Sequence, residues 1–238
     1  MLFRSRDKAL LDFNGREAGR YTVTLTRSNP LTLQSVGVVG VARKTIEVRL
    51  IKSGFPPLAA ALTVDKDPPA SGLDTRLKTA QGLERLVEGI QRNGTDTYNP
   101  AWGTATILGA VGSPTAYRTV IINGDCEFRG AAGFGILLVR GDLTFRNNFS
   151  WNGLVLVIGQ GTLRVTSGTS GWISGAVFVA RTRAADRTPE NLLGTLLDKL
   201  GSVTSDLPSD SVSLEFSAAE GDRANRDFPY VPISYREF

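Results

Sequence analysis

Between residues 119 and 164 the chain repeats one pattern three times: an apolar run, a Gly-containing turn and a second, alternating run. Thr119-Val-Ile-Ile-Asn-Gly-Asp-Cys-Glu-Phe-Arg129 lies over Ile136-Leu-Leu-Val-Arg-Gly-Asp-Leu-Thr-Phe-Arg146, and that over Leu154-Val-Leu-Val-Ile-Gly-Gln-Gly-Thr-Leu-Arg164, at spacings of 17 and then 18 residues. Three columns follow: Gly124, Gly141 and Gly159; Phe128, Phe145 and Leu163; and Arg129, Arg146 and Arg164. A fourth apolar run, Ala176-Val-Phe-Val-Ala180, begins 22 residues after Leu154. A fixed period of strand, Gly corner and strand is the mark of a β-solenoid, in which each coil buries its inner face only by stacking on its neighbours. Sandwich hairpins would not require matching columns at one coil length. The expected fold is therefore mainly β, with a short right-handed β-helix in the second half.

The first strand of each coil is apolar on both faces, as in Val120-Ile-Ile122, Leu137-Leu-Val139 and Val155-Leu-Val157. A strand wet on one side would alternate. A second layer should therefore cover this face, and the helix expected over 73–92 or the N-terminal strands are the available cover. In that helix Leu83, Leu86, Val87 and Ile90 share one stripe, with Gly94 just past its end.

Upstream, residues 20–52 alternate as an antiparallel meander with a turn at Asn29-Pro30, and Ile46, Val48 and Leu50 face one way. Prolines and glycines make 53–72 a linker or an extended crossing. Residues 94–118 read as loop. A second helix is expected at about 186–201, from Thr188 as N-cap, Pro189 at the first position, leucines at 192, 193, 196, 197 and 200, and Gly201 as stop. Ser211–Phe216 resumes alternation as a last rung, then a loop leads to a strand from Tyr230 to Tyr235. Three regions result: 1–72, meander and linker; 73–118, helix and connecting loop; 119–238, β-helix domain with the helical insertion.

The chain has no histidine, which removes the usual general base near neutral pH and the commonest metal ligand. Cys126 is its single cysteine and sits in an alternating strand, as a buried structural thiol would. The net charge of +4 comes from scattered Lys and Arg rather than a basic stripe, so no nucleic-acid partner is expected. No signal peptide or membrane-spanning helix is visible, and any targeting segment is expected to be absent from this chain.

Paired carboxylates deserve weighing, because β-helix enzymes that cleave polysaccharides use them. Asp125 and Asp142 share a column, but each follows Gly in a turn, where Asp commonly hydrogen-bonds its own backbone. The Arg column is read as a solvated face that pairs with Glu127. Asn147, Asn148 and Asn152, around Phe149 and Trp151, form a polar-aromatic segment and the candidate interaction loop. No catalytic, cofactor or metal residue is assigned.

The segment Gly135-Ile-Leu-Leu-Val-Arg-Gly-Asp-Leu-Thr-Phe-Arg-Asn-Asn-Phe-Ser-Trp-Asn-Gly-Leu-Val-Leu-Val-Ile-Gly159 resembles the β-helical region of bacterial pilus-assembly proteins of the PilX type. Gly171-Trp-Ile-Ser-Gly-Ala-Val-Phe-Val-Ala180 is similar to that family's next segment, and Ile233-Ser-Tyr-Arg-Glu-Phe238 to its terminal strand. The resemblance implies a non-enzymatic, minor pilin-like component of a type IV pilus in the cell envelope (inner membrane, periplasm or pilus). Its partners would be other pilins or pilus-assembly proteins, with membrane contact only through an N-terminal helix that this chain lacks. Two other classes remain in view: a bactofilin-like polymerising scaffold and a carbohydrate-active β-helix enzyme.

Overall fold

The computed structural model describes residues 2–11, 17–26, 31–64, 75–100, 103–130, 132–208 and 210–238. The expected Asn29-Pro30 turn and the linker beyond residue 64 lie outside these. In chain order the strands are β1 (Leu2–Leu11), β2 (Glu17–Thr26), β3 (Leu31–Val39), β4 (Ala42–Lys52) and β5 (Leu62–Val64). A 3-10 turn at Thr75–Lys78 and helix α1 (Ala80–Gln91) precede β6 (Asp96–Tyr98), β7 (Thr104–Leu108), β8 (Arg118–Ile122) and β9 (Asp125–Arg129). Next come β10 (Ala132–Val139), β11 (Asp142–Arg146), β12 (Phe149–Gly159), β13 (Thr162–Val165) and β14 (Gly171–Arg183). The chain ends with β15 (Leu196–Gly201), β16 (Thr204–Asp206), β17 (Val212–Phe216), helix α2 (Ala218–Ala224) and β18 (Tyr230–Glu237). It divides into two compact units, residues 1–53 with 229–238, and residues 54–228.

The first unit is one antiparallel sheet in the order β1-β2-β3-β4-β18. The meander forms as its alternation requires, and Ile46, Val48 and Leu50 are each half-buried. The terminal strand is not part of the solenoid, as a domain running to 238 would have it. It pairs antiparallel with β4, Tyr235 opposite Val48 and Arg236 opposite Glu47, and Lys44 forms an ion pair with Glu237.

The second unit is a β-solenoid of about four turns. Each turn gives one strand to each of two parallel sheets, β6-β8-β10-β12-β14 and β7-β9-β11-β13-β16. Residues 94–118, read as loop, hold the first coil: β6 pairs with β8 and β7 with β9. Inside the coil, Val120, Leu137, Val155 and Val177 stack in one column and Ile122, Val139, Val157 and Val179 in another. Phe128 and Phe145 are in register, with ring centroids 5.6 Å apart, and Phe128 meets Trp151 edge-on.

In the second sheet the third member of each expected column is shifted. Asp142 pairs with Thr162 and Phe145 with Val165, so Leu163 stacks on Leu143 and not on Phe145. In the other sheet Val139 still pairs with Val157. The third coil therefore carries two extra residues at the corner after Ile158. Gly161 then takes the place expected for Gly159, and Arg164 lies beside Thr144. Side chains alternate with period two, so a shift of two leaves every residue on its expected face. Leu163 is fully buried in the coil.

The outward side of the first sheet is apolar and covered, as its unbroken apolar runs require. Ile121, Leu138, Leu156 and Phe178 line up there and are buried by Leu83, Leu86, Val87 and Ile90 of α1, with Phe55 and Phe228 beside them. Thr79 caps α1 by accepting from the Gly82 amide at 3.0 Å. The second helix lies elsewhere than expected. Thr188 to Gly194 forms turns, with Thr188 Oγ1 accepting from the Asn191 amide, and 196–201 is strand β15, antiparallel to β14. β14 outlasts its neighbours, and its open edge needs partners; β17 covers its first part, β5 its middle and β15 its end. That demand for backbone hydrogen bonds outweighs helix propensity, which is a weak bias. The helix that does form is α2, in a stretch read as loop, capped by Ser217 accepting from the Glu220 amide.

Candidate functional site

Of the two carboxylates in the Gly-Asp column, that of Asp125 serves architecture. Asp125 Oδ1 accepts from the Asp142 amide of the next coil at 2.8 Å, and Arg187 Nη1 donates to both Asp125 oxygens at 2.8 and 3.0 Å. The Asp125 bond therefore joins two coils, where the sequence suggested a bond to its own backbone. On the outer face of the second sheet, Arg129 Nε donates to Glu127 at 2.7 Å and Arg146 Nε lies 2.6 Å from the same carboxylate. The hydrogen bond from Arg129, with the charges of both guanidiniums, holds the Glu127 carboxyl below its usual range.

Cys126 is buried between the sheets. Burial pushes its thiol up to about 12, and the neighbouring Glu127 and Asp125 charges push the same way. Since the thiolate is the reactive form, folded protein treated with iodoacetamide at mildly alkaline pH should stay unlabelled by mass spectrometry, and urea-unfolded protein should take one label. Rapid labelling of the folded chain would overturn this assignment.

The most charged interior point lies under α1. Glu84, 7% exposed, forms an ion pair with the buried Arg140, receives 2.7 and 3.2 Å hydrogen bonds from Arg183, and accepts from Thr182 Oγ1 at 2.8 Å. Burial pushes the Glu84 carboxyl upward, but the Arg183 hydrogen bond, the Arg140 charge and the Thr182 hydroxyl together hold it below its ordinary value. The cluster ties α1 to β14 and to the corner after β10. Among the described residues, no group of three or more His, Cys, Asp or Glu side chains is placed to hold a metal ion.

The candidate interaction loop divides between surface and core. Asn147 makes the turn with φ 62° and is exposed, as is Asn148, while Asn152 is half-buried. Phe149 and Trp151 point inward. Phe149 stacks on Phe145 at 4.0 Å, and Trp151 is fully buried with its Nε1 donating to the Gly135 carbonyl at 3.2 Å. The surface aromatic is Trp172, one coil further on and 42% exposed. It sits in register between Ser150 and Ser213, so its ladder neighbours are small. With Asn148, Ser150, Ser170, Gly171 and Ser211 it lines a shallow trough of about 550 Å³. Asn148 Oδ1 accepts from Ser170 Oγ at 2.8 Å across it. Alternation supplied the signal: Trp172 precedes inward-facing Ile173, so it must point out.

Among the described residues, no helix is long and apolar enough to cross a membrane. No family model matches the chain, and no curated protein matches it. Among solved structures the chain is similar to the crystal structure of the competence-associated pilin ComZ from Thermus thermophilus, at 11% identity and a TM-score of 0.32, over 100% of this chain and 87% of that one.

Proposed function

We propose that the chain is a structural or assembly component of a bacterial surface pilus, minor pilin-like, without catalytic activity of its own, and that it acts at the cell envelope with other pilins as partners. One observation carries the reading. The Gly135–Gly159 and Gly171–Ala180 segments, which resemble the PilX-type β-helical region, lie on adjacent coils, and the Ile233–Phe238 segment, which resembles that family's terminal strand, completes an antiparallel sheet against β4. The engagement of Asp125 by a backbone amide and Arg187 speaks for structure over polysaccharide cleavage. Unaided polymerisation is disfavoured by the final layer on β14, where β17 and β5 run parallel to it and β15 antiparallel. Such a layer is a poor template for the short β6 and β7 of another copy.

The test is deletion of the gene in its own host, with a tagged copy restored. The tagged chain should appear with surface pili sheared from the cells, or the deletion should reduce their number by electron microscopy. Unchanged piliation, with the chain absent from pili and envelope, would overturn the reading. So would polysaccharide cleavage lost on Asp142→Ala.

A further inference from the structure

We propose that the trough around Trp172 is a binding site for a neutral saccharide. Its lining is wholly uncharged, two aromatics with hydroxyl, amide and small side chains, in a chain of which 21% is charged. A phosphate or nucleic-acid backbone needs cationic partners, and none lines this surface. A protein partner anchored by apolar side chains needs a desolvated pocket, whereas this trough is shallow and open. A sugar ring presents an apolar C–H face bordered by hydroxyl groups. That combination matches an exposed indole flanked by hydroxyls.

The coil supplies the spacing. Ser150 and Trp172 stand on successive rungs, about 4.8 Å apart in any β-ladder, a step comparable with the width of one sugar ring. The Asn148–Ser170 hydrogen bond holds an amide and a hydroxyl in place beside the indole before any ligand arrives. Phe149 closes the floor from inside the coil, where its stacking on Phe145 holds it. Ser150, Gly171 and Trp172 lie on strands, and Asn148, Ser170 and Ser211 each stand at the corner just before one, so little ordering is left for binding to impose.

Tryptophan fluorescence of the full chain tests the site. The chain has three tryptophans; Trp151 is fully buried and Trp172 is exposed. Cellohexaose, mannohexaose and N-acetylchitohexaose are titrated separately, with alginate and a duplex DNA as anionic probes. At least one neutral hexasaccharide should shift the emission saturably. Calorimetry with Trp172→Ala should show affinity lowered by about tenfold or more, the scale expected for loss of one stacked aromatic, and Trp172→Tyr should retain most of it. Asn148→Ala should weaken binding by a few-fold without shifting the thermal midpoint. No neutral saccharide binding at all, binding undiminished in Trp172→Ala, or binding of alginate or DNA alone would each overturn the proposal. Trp172 lies on the surface, so its replacement leaves the core intact, and circular dichroism of each variant verifies this.

Discussion

Glu84→Ala should destabilise the solenoid unit by about 3–5 kcal/mol, the usual cost of removing one partner from a buried ion cluster. The loss has a definite origin. Arg140 is 7% exposed and would remain beneath α1 with no carboxylate to face. Burial draws its guanidinium pKa downward, yet from so high a starting value that it stays charged at neutral pH. Arg183 would keep its 3.1 Å bond to the Gly194 carbonyl but lose both bonds to Glu84. Replacing Glu84 and Arg140 together by Leu and Met should recover much of the loss, because an apolar pair of similar volume substitutes well for a buried ion pair. Urea denaturation of the single and double variants measures both outcomes. A double variant no more stable than Glu84→Ala would show that packing, not charge, holds α1 down.

The same cluster sets an acid limit. The folded-state pKa of Glu84 is lowered, so its contribution is complete above the ordinary glutamate value near about 4.3 and fades as pH falls through the lower folded value. In the wild type, stability should decline as pH drops below about 4, and Glu84→Ala should show a shallower decline over the same window. Thermal unfolding as a function of pH reads the difference.

Gly153→Ala should be about as damaging, at roughly 3–5 kcal/mol, from backbone strain plus overpacking. Gly153 has φ 125° and pairs in register with Gly135 below and Gly175 above, whose φ values are 130° and 140°. A methyl group on Gly153 would stand 2.2 Å from the Gly135 carbonyl oxygen. That oxygen is backbone, held by the neighbouring rung, so relief requires prying two coils apart. For a unit of this size the expected fall in thermal midpoint is about 6–20 °C. Gly168→Ala is the control. Its φ is 75° and nothing lies within 4 Å of the added methyl, so only the conformational cost of about 1 kcal/mol should appear. Equal effects at the two positions would remove stacking as the cause.

The Gly135, Gly153 and Gly175 ladder was readable in the sequence. Each glycine immediately precedes the apolar run that defines its coil, as in Gly135-Ile136, Gly153-Leu154 and Gly175-Ala176. The cap of α2 was readable too, as Ser217-Ala-Ala-Glu220, but the short helix behind it has no apolar stripe to mark it. The reverse holds for Thr188 to Gly201. There a cap, a proline and a leucine stripe all spelled helix, and the chain makes turns and a strand. Of the candidate loop, Asn147 and Asn148 are exposed and Asn152 half-buried, while Phe149 and Trp151, grouped with them by their spacing in the sequence, are sent inward by alternation.

The sequence by itself determined the repeating coil, the two-faced burial of its first sheet, the need for a covering layer over that sheet and the half-buried N-terminal meander. These follow from side-chain period and composition, which act within one strand or between neighbouring coils. Only the tertiary structure decided that Glu84 meets two arginines, that Leu163 stacks on Leu143, that residues 196–201 form a strand, and that the last strand joins the first sheet. Each of those depends on which backbone edge or buried charge lacks a partner once the coil has closed, a condition set by groups far apart along the chain.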